Sequence, residues 1–138
     1  MMETSPRKYQ PQIEIPQKEF EELKKRIEKL EAKLEKEKSK EAKEKLIKEK
    51  IREYVLEVQK TPSFAPPSKV RDEAKEIEKF SKSEQVGALI SLALEKGILY
   101  AVSVAKNLKN PAILDEFHDT LIDRYYQILV EKNVIRIL

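Results

Sequence analysis

The sequence predicts an all-α protein: a long charged N-terminal helix with partial coiled-coil character, followed by a small C-terminal helical bundle. Three observations lead there. Only two of the 138 residues are glycine, which leaves little material for the tight turns of sheets and barrels. Charged residues make up 38% of the chain, and Glu and Lys, both strong helix formers, dominate them. Apolar residues recur at spacings of three and four, the period of one helix face.

Residues 1–16 hold Pro6, Pro11 and Pro16 with glutamines between them. Proline removes an amide donor and fixes φ, so an extended or disordered tail is expected. Within it Ile13 and Ile15 are candidate anchors of a docking peptide, with a frayed terminus as the plainer alternative.

From Gln17 to Gln59 no Gly or Pro interrupts the helical pattern. Phe20, Ile27 and Leu34 at heptad positions a, with Leu23 and Leu30 at d, predict a short parallel zipper, hence a homodimer through residues 18–35. Glu19 would face Lys24 of the other strand, and Arg26 would face Glu31. Residues 35–45 (EKEKSKEAKEK) are polar on every side, as a solvated spacer would be. The first unit is therefore drawn at 17–45, and residues 17–59 are expected to form either one rod or a bent hairpin.

Residues 46–138 form the second unit. Leu46, Ile47, Ile51, Tyr54, Val55 and Val58 make a wide stripe suited to packing on a globular body, so a docked helix is expected at 46–59. Pro62, Pro66 and Pro67 stop it, with Phe64 as a local plug. Ser68 is placed as the cap of a helix at about 69–80. Ser81 and Glu84 form a capping box for a helix at 83–96, which Gly97 ends in the left-handed conformation. Residues 98–107 are apolar on nearly all sides and read as a buried helix. A strand is the alternative, because Ile, Tyr and Val favour strands and residues 134–138 could pair with it. Asn110-Pro111 opens a last helix at 111–132.

The composition excludes several functions. Without cysteine there is no disulfide, thiolate metal site or cysteine nucleophile. Residues 1–20 contain no apolar signal-peptide core, and the uncharged run 97–105 is far shorter than the ~20 residues of a membrane span; a cytoplasmic location is expected. Two glycines exclude phosphate-cradling and dinucleotide-binding loops. Residues 1–60 carry 17 Lys/Arg against 14 Asp/Glu, too mixed for the one-signed stripe that nucleic acid needs.

One cluster resembles a site. Asp115, His118 and Asp119 lie within one helical turn, and Asp115 with His118 shares a helix face. A metal site would need more ligands, and no second histidine exists; the structural reading is dipole and surface carboxylates around a half-buried histidine. Tyr125 and Tyr126 point about 100° apart, one toward the core and Tyr126 toward a flank where a partner could dock.

Asn110-Pro111 followed by LDEFHDTLIDRYYQIL resembles a C-terminal helix of uncharacterised small helical proteins of candidate-phylum bacteria. That resemblance covers about 30 residues, tilts the expectation toward an assembly role, and supplies no active-site residue. The expected function is a cofactor-free, non-enzymatic structural or adaptor protein that self-associates and binds a protein partner. The alternatives are a nucleic-acid accessory protein using the basic residues of the long helix and, less favoured, a metal-dependent enzyme at His118.

Overall fold

The computed structural model describes residues 14–34, 39–61 and 67–135. Six α-helices account for most of them: α1 (Gln17–Lys33), α2 (Lys40–Val58), α3 (Pro67–Glu78), α4 (Lys82–Lys96), α5 (Ile98–Asn107) and α6 (Pro111–Glu131). No strand occurs among the described residues.

The helix ends follow local chemistry. The Ser39 hydroxyl accepts a 3.1 Å hydrogen bond from the Ala42 amide and starts α2 within the stretch expected to be a continuous spacer. At α4, Ser81 and Glu84 form the reciprocal capping box, with bonds of 3.3 and 3.1 Å. Asn110 accepts from the amides of Ala112 and Ile113, with Pro111 at the first helical position. α3 begins at Pro67, one residue ahead of Ser68, so that serine lies inside the helix.

Of the two arrangements open to residues 17–59, the rod and the bend, the described helices have the bend. Along one helix Arg26 and Glu57 would stand roughly 46 Å apart at 1.5 Å per residue. Instead the Arg26 guanidinium bonds both Glu57 carboxylate oxygens, at 3.0 and 2.7 Å. The chain therefore turns back between Lys33 and Lys40, and α1 lies against the C-terminal half of α2. Residues 35–38 fall outside the described residues, as do Ile13, Pro62, Phe64 and Pro66.

α5 sits at the centre, with Ile98, Ala101, Val102, Val104 and Ala105 buried. The helical reading of residues 98–107 holds because their neighbours are helices on several sides, so a segment apolar all round is covered. α6 contributes the fully buried Phe117, Leu121 and Tyr125. It runs antiparallel to α2: Lys48 pairs with Asp123 at 3.1 Å and Arg52 with Asp119 at 3.2 Å, so one helix advances four residues as the other retreats four.

Candidate functional site

The most deliberate polar arrangement is built around Glu19. In a heptad it would be a rim residue, yet it is only 9% exposed. One carboxylate oxygen accepts a 2.7 Å hydrogen bond from the Ile98 backbone N–H, at the first turn of α5. The other accepts a 2.7 Å bond from the Tyr125 hydroxyl on α6. A carboxylate at a helix N-terminus is favourable because the first amides have no intrahelical partner and the dipole is positive there.

Gly97 makes this approach possible. Its φ of +101° and ψ of 158° lie in a region essentially restricted to glycine, rather than in the left-handed helical conformation expected for a helix stop. A Cβ at Gly97 would stand 3.2 Å from the Glu19 oxygen. The residue thus turns α4 into α5 and also leaves room for the carboxylate that caps α5.

A second layer extends the cluster onto α2. The Tyr54 hydroxyl donates to Glu22 at 2.9 Å, and the Arg26 guanidinium lies 5.1 Å from the Tyr54 ring centroid. Burial raises the pKa of Glu19 above its ordinary 4.5; the Ile98 amide and Tyr125 hydroxyl oppose that rise, and Glu22 adds to it. Tyr125 is pushed well above its ordinary value by burial and then by the Glu19 charge. Burial first, then the bond to Glu22, raises Tyr54 as well. Both hydroxyls therefore keep their protons and act as donors.

Among the described residues, two of the surface grooves on the bundle are lined by charged side chains. One, of about 640 Å³, runs between α2 and α6, where Glu44, Lys48, Arg52, Asp119 and Asp123 line it. Two of its cations are paired in place: Lys48 with Glu44 and Asp123, Arg52 with Asp119. The other, of about 240 Å³, lies between α4 and α6 and is lined by Ser83, Val86, Gly87, Ile90, Ser91, Glu116, Thr120 and Arg124. Gly87 is exposed in mid-helix, and nothing lies within 4 Å of where its Cβ would stand. Among the described residues neither Glu116 nor Arg124 has an ion-pair partner.

The structure relocates most of the sequence-predicted site residues. Leu23 and Ile27 are 0% exposed within this one chain, and Phe20 and Leu30 pack against the same core. A single helix with an a/d stripe has the same pattern whether a second copy or its own body covers it; here the body does. Leu34, half-exposed, ends α1. The heptad pairings give way too: Glu19 meets Ile98 and Tyr125, and Arg26 meets Glu57. Ile15 is buried in the core rather than offered for docking. Tyr126 is likewise buried, with the Lys48 ammonium 5.1 Å from its ring centroid.

Asp115, His118 and Asp119 do not converge. His118 Nε2 lies 2.9 Å from the Gln59 side-chain oxygen, across the α2–α6 contact. Asp119 is turned to Arg52, and Asp115 is exposed. Among the described residues no group of three or more His, Asp or Glu is placed to hold a metal ion. No described helix is long and apolar enough to cross a membrane.

Glu19, Gly97 and Tyr125 were visible in the sequence, but only as a rim charge, a helix stop and a core aromatic. No local signal could join residues 79 and 106 positions apart. Compared with known protein families, with curated proteins and with solved structures, the chain matches none.

Proposed function

We propose that this protein is a non-enzymatic adaptor that presents the α4–α6 face to a protein partner. The observation supporting this reading is Gly87. A glycine in an exposed helix interior costs about 1 kcal/mol relative to alanine, and no neighbour within the chain requires the missing side chain. A partner backbone approaching α4 closely would require it. The flanking groove suits a helix or extended segment of mixed charge, since Glu116 and Arg124 stand two turns apart, roughly 12 Å, on α6.

The same face supports self-association as a second reading. Across a two-fold axis near Thr120, Glu116 of one copy would face Arg124 of the other and the reverse, which is the self-complementarity that such a contact needs.

Gly87→Trp tests both. The groove has space for the ring, so the variant should fold with unchanged helicity while the face is blocked. Captures from source cells with wild-type and variant bait, compared by quantitative mass spectrometry, should show specific partners lost from the variant. Light scattering on each reads self-association. A folded Gly87→Trp protein with the same partners and the same mass as wild type would remove the proposal.

A further inference from the structure

Beyond the adaptor reading, and resting on none of it, the Glu19 cluster carries a conformational consequence. α1 is joined to the body by an apolar stripe, by one buried carboxylate and, nearer the surface, by Arg26 with Glu57 and Glu22 with Tyr54. The stripe, Leu23 and Ile27 with Phe20 and Leu30 beside them, is indifferent to pH. The carboxylate is not. An ionised carboxylate has about four acceptor positions, and the body supplies two donors, the Ile98 N–H and the Tyr125 hydroxyl, each at 2.7 Å.

The groups facing Glu19 from each packed element offer no neutralising charge. On its own helix the neighbour is Glu22, of like sign; Arg26 is committed to Glu57 and to the face of Tyr54. From α2 the facing group is Tyr54, whose hydroxyl donates its hydrogen bond to Glu22. The junction of α4 and α5 presents Gly97 and the Ile98 amide, and α6 presents Tyr125. Glu19 has no ion-pair partner among the described residues. A buried carboxylate without a counter-charge costs less when protonated.

We propose that α1 is a pH-responsive clasp, seated most firmly on the body when Glu19 is neutral and released more readily once Glu19 is ionised. Release uncovers Leu23, Ile27 and the surface they cover, so the clasp sets how often that apolar surface is open to another chain.

The sign follows from proton linkage. With Glu19 titrating higher when docked than its ordinary 4.5, the docked state binds more protons than the released one above that pH. Docking is therefore at full strength below about 4.5 and weakens as pH rises through the docked value.

Native-state amide exchange on the full chain, corrected for intrinsic exchange rates, tests this at about pH 5 and about pH 8. Protection of α1 amides relative to those of α4 should be lower at about pH 8 than at about pH 5. Glu19→Gln keeps the shape without the charge and should flatten that fall. Tyr125→Phe removes one donor to the ionised form and should steepen it, and this variant decides the matter if Glu19→Gln does not fold. Equal α1 protection at both pH values, or a slope unchanged in Glu19→Gln, or one unchanged or shallower in Tyr125→Phe, would overturn the clasp.

Discussion

Glu19 and Tyr125, 106 residues apart, share a 2.7 Å hydrogen bond that fastens the first helix to the last. Hydrogen bonds to a charged acceptor in a dry setting are worth about 1.5–3 kcal/mol. Tyr125→Phe keeps the ring and removes the donor. Chemical denaturation near neutral pH should therefore show a loss of about that size, and a smaller one in mild acid.

The two glycines should respond in opposite directions. Gly97→Ala places a methyl group 3.2 Å from the Glu19 oxygen on a backbone with φ of +101°, and a loss of roughly 1–3 kcal/mol is expected. Gly87→Ala, where nothing lies within 4 Å, should gain about 0.5–1 kcal/mol. Thermal melts of the pair check this directly; losses of equal size would show that the Gly97 backbone and its contact carry no special weight.

Leu23 distinguishes core from zipper. It is fully buried within one chain, so Leu23→Ala should cost about 2–5 kcal/mol through lost contacts and a cavity. A dimer seam would make the unfolding midpoint depend on protein concentration, by mass action. Melts over a hundredfold range of concentration should instead keep the interval between wild type and variant constant.

His118 imposes an acid limit on the α2–α6 contact. Burial first, then the Arg52 charge, lowers its pKa below the ordinary 6.5, against the pull of Asp115 and Asp119. The unfolded chain then takes up the proton at a higher pH than the folded one. Stability conferred by the neutral ring is complete above about 6.5 and is lost as pH falls toward the folded value. Because the ring is only half-buried, solvent screening keeps this to under about 1 kcal/mol. His118→Gln, which still reaches Gln59, should remove that part of the pH dependence in melts between about pH 5 and about pH 7.

Much of the fold was legible because it depends on local chemistry. Ser81 with Glu84, and Asn110 with Pro111, satisfy orphan amides within one turn and mark helix starts wherever they occur. The scarcity of glycine and the three-four spacing of apolar residues sufficed for an all-helical chain. The burial of Ile98, Ala101, Val102, Val104 and Ala105 followed from the apolar character of most of that helix's surface.

The candidate site was legible only as separate parts. A heptad stripe states that a face will be covered and leaves open by what, so Leu23 and Ile27 read equally as seam or core. His118 and its acidic neighbours suggested convergence until Arg52 and Gln59 arrived from a helix some 60 residues away.

Composition, capping residues and hydrophobic period by themselves determined that this protein is helical and where most of its helices begin, since those signals act over four residues or fewer. Only the tertiary structure decided that α1 folds back onto its own body and that Glu19 is buried beneath Gly97, Ile98 and Tyr125. Which surface covers a stripe, and which donor meets a carboxylate, depends on groups that sequence proximity does not bring together.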